Sequence, residues 1–411
     1  MPKIIKECRI CGNKNLTPIL NLGNQCLTSV YPHPDSKNPS VSPLELLLCN
    51  DDQKNVCNLV QLRHNADIDE MYGTTYGYFS SISSSMVDHL KAKVNEINNL
   101  FDPQPGDLIL DIGCNDGTLL NLFEERKLIR FGIDPSSKKF IKMFQKDIKV
   151  SFNFFSENKV KEMAGDKKFK VITSIAMFYD IDDPTDFMKQ VHSLLKADGI
   201  WVVEIAYLPT MMKNLAYDQV MHEHLTYLGL NQMKSMMDKV GFEILDVSLN
   251  DMNGGSINII TGKKGSKFKK NSEKINSLLL SEKKLKNIQN YKNFENRIKL
   301  NRNEIKHFFS LIKSSKKSIL GYGASTKGNV VLNYCEIKPT DLEAICDQNP
   351  EKPGLTTPGT RIPIISKKEM RKRNPDYLFV LIWHFRKEVL EDEKDYIMNG
   401  GILVFGLPRL H

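Results

Sequence analysis

The chain has 411 residues, more than one hydrophobic core usually serves, so two or three domains are expected. Its 41% hydrophobic and 26% charged residues exclude a disordered chain, and no apolar run approaches the roughly 20 residues a membrane helix needs. Lys plus Arg number 57 against 49 Asp plus Glu, and the resulting +8 is scattered, which reads as solvated surface.

The opening MPKIIKECRICG lacks the pattern of a signal peptide, so a cytoplasmic location is expected, with no membrane partner. Cys8, Cys11, Cys26, Cys49 and Cys57 all fall in the first 57 residues. In a reducing compartment such crowding favours metal over disulfide. Cys8 and Cys11 form a C-x-x-C turn, and Cys49 with Cys57 can complete a closed, structural zinc site. Cys26 and His64 are alternatives for the second pair. Without metal, this turn-rich stretch (1–66) could hardly bury enough to fold. It has neither a helical H-x-x-x-H half nor a basic, aromatic recognition segment, so no nucleic-acid partner is expected.

Next comes the aromatic, serine-rich MYGTTYGYFSSISSSM, then a helical pattern in MVDHLKAKVNEINNLF. From 101 onward LILDIG, IRFGID, VITSIA and GIWVVEI alternate with amphipathic stretches, the βαβ signature of a parallel sheet. SINIITG reads as a further strand. The turn in LILDIGCNDGTLL holds Asp111, Gly113, Asn115, Asp116 and Gly117. Glycine lets the backbone bend sharply and approach a ligand. The second strand ends in Asp134, followed by Pro135, where an acid can accept both hydroxyls of an adenosine ribose. D-x-G-x-x-x-G with a strand-end acid resembles the S-adenosylmethionine site of class I methyltransferases.

AYDQVMHEHLTYL places His222, Glu223 and His224 after the strand-like WVVEIAYL, with Tyr227 close behind. The i, i+4 histidine pair of a zinc protease is absent. An imidazole suits a general base near neutral pH, particularly when a neighbouring carboxylate orients it.

Between 266 and 316, apolar positions from Ile275 to Ile312 recur at three, four or seven, predicting one long helix or a broken pair that connects domains. The βαβ pattern then restarts with SILGYG, STKGNVVLNYC, LEAICD, DYLFVLIW and GILVFGL. Gly321, Gly323, Ser325 and Lys327 form a second glycine turn that could cradle a phosphate, although a purely structural turn fits equally. Asp347 and Lys352 follow in a Pro- and Gly-rich loop of the kind that lines a pocket.

The expected fold is therefore α/β: two Rossmann-like parallel-sheet domains in series plus a small N-terminal zinc-binding domain. The boundaries fall at 1–66, 67–265, 266–316 and 317–411.

The order of cysteine knuckle, YGY-S-S segment, DIGCNDG turn, EH segment, N-G-G-S strand, GYGASTKG turn and DQNPEKPGLTTPGTRIPI resembles the sugar-nucleotide C-methyltransferases over nearly the whole chain. That resemblance implies S-adenosylmethionine and structural zinc (Zn2+) as cofactors. It implies a nucleotide-linked keto-deoxysugar as substrate, methylated at carbon 3; a monomer or homodimer is the expected working form. It maps the zinc ligands to Cys8, Cys11, Cys49 and Cys57. The catalytic His and Glu map to His224 and Glu223, and the serine-rich segment's tyrosine to Tyr76 or Tyr78. His222, Tyr227 and Asn253 join the second glycine turn as substrate-side candidates. Family members often carry Tyr at Met221 and His at Asn253, so Tyr227, Tyr217 or His222 is expected to take over, or the substrate differs. Methyl transfer to oxygen, nitrogen or a macromolecule is the alternative activity.

Overall fold

A computed structural model describes residues 2–50, 56–71, 78–124 and 127–411. The N-terminal module is more regular than its turn-rich sequence suggests. Strands β1 (Leu16–Cys26), β2 (Val41–Cys49) and β3 (Val60–Leu62) form an antiparallel sheet. Its fourth strand comes from far downstream: Thr226–Tyr227 pairs with Gln61 and Val60. Leu44, Leu46, Leu48, Val60 and Leu62 are buried in a core continuous with that of the C-terminal domain.

Helix α1 (Ser84–Phe101) carries the periodic MVDHLKAKVNEINNLF. Ser83 caps it by accepting from the Met86 N–H, and Met86, Leu90, Val94 and Ile97 form its buried stripe. The central sheet then uses β4 (Leu108–Ile112), β5 (Ile129–Ile133), β6 (Lys149–Ser151), β7 (Phe169–Ile175), β8 (Leu195–Ala206), β9 (Phe242–Asn250) and β10 (Ser256–Lys263). Their order is β9-β10-β8-β7-β4-β5-β6. The first five strands in sequence run parallel; β10 is antiparallel to both β8 and β9.

That antiparallel edge departs from the all-parallel expectation. A short connection joins β9 to β10, and so short a link can only return the chain as a hairpin. The alternation in FEILDVSLN marks β9 as a strand with one exposed face.

The connector contains a helix at Ser272–Ser281 and then α2 (Ile288–Ser315), whose 28 residues span about 42 Å. Tyr291, Phe294, Ile298, Ile305, Phe309 and Ile312 make its buried stripe. The C-terminal sheet comprises β11 (Ile319–Tyr322), β12 (Ile345–Asp347), β13 (Ile364–Ser366), β14 (Tyr377–Val380) and β15 (Ile402–Phe405). It is parallel throughout, in the order β13-β12-β11-β14-β15, and helix α3 (Thr326–Tyr334) leads away from β11. The protein is thus α/β with two Rossmann-like sheets. Among the described residues no helix is long and apolar enough to cross a membrane.

Candidate active site and metal centre

The thiols of Cys8, Cys11, Cys49 and Cys57 all lie within 4.8 Å of one another. The Cys8–Cys57 and Cys11–Cys49 sulfur separations are 3.3 and 3.6 Å. A tetrahedral zinc with Zn–S of about 2.3 Å has edges of about 3.8 Å, so the four residues fit one ion. Cys26 and His64 stand outside this group, which resolves the alternatives left by spacing alone.

A cleft lies over the C-terminal ends of β4, β5 and β7. Asp111, Gly113, Asn115, Asp134, Ile175, Met177 and Tyr78 are among its walls. Gly113 has φ +79°, and a Cβ there would meet the Met177 side chain at 2.9 Å, so only glycine permits the turn to pass so close. Asp111 accepts from the Thr173 hydroxyl at 2.6 Å. Burial pushes its carboxyl up to about 7, Thr173 opposing and Asp134 and Asp116 adding to the rise. Asp134 accepts from the backbone N–H groups of Asn115 (3.0 Å) and Ser136 (2.6 Å), a geometry that fixes the rim of the cleft and leaves lone pairs for a ligand.

Other members of the turn act locally. Asp116 does not line the cleft: Oδ1 accepts from Thr118 N–H and hydroxyl, and Oδ2 from Ser81 N–H at 2.8 Å. Asn115 accepts from Ser80 N–H at 3.0 Å and donates to the Tyr78 carbonyl at 3.2 Å. Together they fasten segment 78–81 over the Asp111–Gly117 turn. A Cβ on Gly117 would lie 2.6 Å from the Phe144 ring, so this glycine serves packing. Pro135 occupies the turn after β5.

A larger cleft, about 960 Å³ including its open mouth, sits over the ends of β11 and β12 and the chain beyond β14. In open parallel sheets this switch point between β11's two neighbours is where ligands bind. Gly323, Ser325, Asp347 and Lys352 line it, joined by Ser29 and Tyr31 of the N-terminal module. Lys352 donates to the Ala324 carbonyl at 2.6 Å, stands 3.5 Å from Asp347, and lies 4.9 Å from the centre of the Tyr31 ring. Tyr78 lines this cleft and the first one alike. Tyr76 lies outside the described residues.

No residue of the His222–His224 segment lines either cleft; its link to the larger one is Glu223, which lies near the wall residue Ser29. His224 is 8% exposed. Burial pushes its imidazole down to about 3, aided by the Lys327 charge and opposed by the Gln219 carbonyl, so the ring is neutral and its environment weakens it as a proton acceptor. Glu223 is not the orienting partner that adjacency suggests. Its carboxyl lies near Ser29 without a formed hydrogen bond, Glu223 Oε1 and Ser29 Oγ both being unpartnered, and burial raises it to about 7. Neighbouring residues here simply face different ways.

Several substrate-side expectations need correction. Lys327 misses the larger cleft; its ammonium donates to the Asn253 carbonyl at 2.8 Å, with Asp218 as countercharge. A Cβ on Gly321 would meet Ile345 at 2.6 Å, making it a strand-packing residue. His222 points at the Ser42 carbonyl (3.1 Å) in the N-terminal sheet, and Tyr227 donates to the Gln219 carbonyl (3.3 Å) from the strand beside β3. Asn253 has φ +57° and offers its backbone oxygen to both Lys327 and Gln219. Met221 is buried in the core and gives no polar group to either cleft. Ser29 and Tyr31, which line the larger cleft, and Asp180, which lines the first, escaped sequence reasoning because their placement depends on contacts between distant segments. Position in the turn that follows a parallel strand is the local signal that marks Asp180.

Three family models match in tandem: "Putative zinc binding domain" over residues 8–72, "Methyltransferase domain" over 88–247, and "C-methyltransferase C-terminal domain" over 251–408. The C-methyltransferase NovU of Streptomyces niveus is 26% identical over 411 residues, covering 98% of this chain and 96% of its own. Among solved structures, the plantazolicin methyltransferase BpumL, in complex with a triazolic desmethylPZN analog and SAH, overlaps 45% of this chain and 87% of its own, at 13% identity and a TM-score of 0.37. The magnesium protoporphyrin IX methyltransferase ChlM of Synechocystis PCC 6803 with bound SAM overlaps 44% and 79%, at 13% identity and a TM-score of 0.31. Overlaps this partial do not bear on chemistry.

Proposed function

We propose that this class I S-adenosylmethionine-dependent methyltransferase, in which zinc-binding, methyltransferase and C-methyltransferase C-terminal modules follow one another, methylates carbon 3 of a nucleotide-linked 4-keto-deoxysugar. The observation that carries this reading is that Tyr78 forms a wall of both clefts. A methyl donor in the first and a nucleotide-linked acceptor in the second would meet across it.

A sugar carbon is not nucleophilic until a neighbouring C–H proton leaves, and an adjacent ketone makes that possible by accepting the electrons as an enolate. In this proposal His224 takes the proton. The negative charge developing beside the imidazole offsets the burial that disfavours its protonated form. Tyr78 donates a hydrogen bond to the enolate oxygen. S-adenosylmethionine, when bound, supplies an electrophilic sulfonium methyl. Asp111, Gly113, Asn115 and Asp134 hold that donor, and Asn115 with Asp116 keeps Tyr78 over it. Gly323, Ser325, Asp347 and Lys352 hold the nucleotide end of the acceptor, with Ser29 and Tyr31 closing the far side. The four cysteines hold zinc in a closed, structural role. The working division of the chain is 1–66, 67–265, 266–316 and 317–411.

The test is mass spectrometry of products from the zinc-loaded protein, S-adenosylmethionine and a panel of nucleoside-diphosphate 4-keto-6-deoxyhexoses in deuterated water. One added carbon-bound methyl is the expected result. Tight cofactor binding with neither methylation nor deuterium uptake for any sugar would overturn the reading in favour of another acceptor class.

A further inference from the structure

Tyr179 occupies the turn Phe178–Asp180, just past the C-terminal end of β7. Its ring rests against the imidazole of His224, with centroids 4.3 Å apart and planes inclined by 60°. Its carbonyl oxygen accepts from the Leu225 N–H at 3.0 Å and from the Thr226 hydroxyl at 3.2 Å. One residue therefore holds three consecutive members of the EH segment, the first by its ring and the next two by its backbone.

An imidazole turns easily about its last torsion, so something must fix its plane if it is to meet a proton on carbon. Among the described residues no hydrogen bond joins Glu223 to this imidazole, and its Oε1 is left without a partner. Lys327 from α3 contributes charge, and the Gln219 carbonyl of the same segment contributes one hydrogen bond. The Tyr179 ring is the surface that closes one face of the imidazole. Burial, with the charges of Asp180, Tyr78, Glu223 and Glu204 nearby, holds its hydroxyl protonated. The residue is 7% exposed, and the methyl-transfer wall formed by Tyr78 is among its neighbours.

We propose that Tyr179 is a positioning residue that fixes the plane and depth of the His224 imidazole against the acceptor carbon. The inference rests on His224 being the base, as proposed above. Misplacing a reacting group by about 1 Å costs on the order of 100-fold in rate, so loss of the ring should fall on proton abstraction and not on ligand binding.

The experiment compares Tyr179→Ala, Tyr179→Phe and His224→Ala in the zinc-loaded full chain. Deuterium wash-in to the same 4-keto-6-deoxyhexose nucleotides is read alongside titration of the histidine rings by NMR. Tyr179→Ala should slow wash-in by about 10- to 100-fold, with cofactor Kd and sugar-nucleotide KM within about threefold of wild type. Its His224 ring should titrate nearer the ordinary value of about 6.5, because one face is opened to water. Tyr179→Phe keeps the ring and should stay within about threefold of wild type on both readouts. Unchanged wash-in in Tyr179→Ala overturns the proposal. Slowed wash-in with an unmoved His224 titration also overturns it, by assigning Tyr179 to the substrate. Undiminished wash-in in His224→Ala would instead remove His224 as the base, and the titration would then decide the positioning role alone. Should Tyr179→Ala fail to fold by circular dichroism, Tyr179→Leu, which retains apolar volume without a flat ring, takes its place.

Discussion

The Lys327 ammonium donates to the backbone carbonyl of Asn253 at 2.8 Å, tying the first turn of α3 to the β9–β10 hairpin of the methyltransferase sheet. Trp383 reinforces the junction by donating to Asp218 at 2.8 Å. Cross-module contacts of this kind turn separate sheets into one platform for the two clefts.

Burial lowers the Lys327 ammonium to about 8, with Asp218 opposing. Between pH 8 and about 10.4 the unfolded chain holds a proton that the folded chain has lost. Stability from this group therefore rises with pH across that window, by at most about 1.4 kcal/mol per unit. Urea midpoints at pH 8 and 9.5 should show this rise in wild type and a smaller one in Lys327→Met.

Asp111 behaves in the opposite sense. Its carboxyl is raised to about 7 by burial, so between about pH 4 and 7 the folded chain holds the extra proton and stability falls as pH rises. In Asp111→Asn that fall should be shallower. Melting temperatures of the cofactor-free protein at pH 5 and 7.5 check it, and identical slopes in the two proteins would contradict the burial argument.

Removing zinc should disturb more than the N-terminal module, because β3 lies only a few residues after Cys57 and pairs with Thr226–Tyr227, immediately beyond His224. Cys49→Ser is expected to lose bound zinc, lower the melting temperature and abolish methyl transfer. Cys26→Ser should retain full zinc content by elemental analysis.

At Gly117 an added methyl would stand 2.6 Å from the Phe144 ring, on a backbone with φ +79°. Gly117→Ala should destabilise by about 1–3 kcal/mol in denaturant titration and weaken S-adenosylmethionine binding by calorimetry. No change in either would mean that Phe144 yields freely.

Asp116 fastens segment 78–81 through the Ser81 N–H. Asp116→Ala should release it, giving faster amide exchange over residues 78–82 and a higher KM for the acceptor. Unaltered exchange there would assign the hold on Tyr78 to Asn115 alone.

Much of the architecture is written locally. The runs LILDIG, IRFGID, VITSIA, GIWVVEI and SILGYG form strands because each is short, apolar and bounded by turn residues. The C-x-x-C turn and the D-x-G-x-x-x-G turn are equally local, since a few adjacent residues carry the whole chemical requirement. Contacts that join remote segments are another matter. Nothing near Lys327 indicates that it reaches Asn253 rather than a phosphate, and nothing near His222 indicates that it turns to Ser42. The ring of Tyr179 on His224, the strand Thr226–Tyr227 beside β3, and the meeting of two clefts at Tyr78 likewise arise when separate cores close on one another. Side-chain type and local spacing decide which elements form and which chemistry is at hand. Which groups then face each other is set by packing over chain separations that no local pattern encodes.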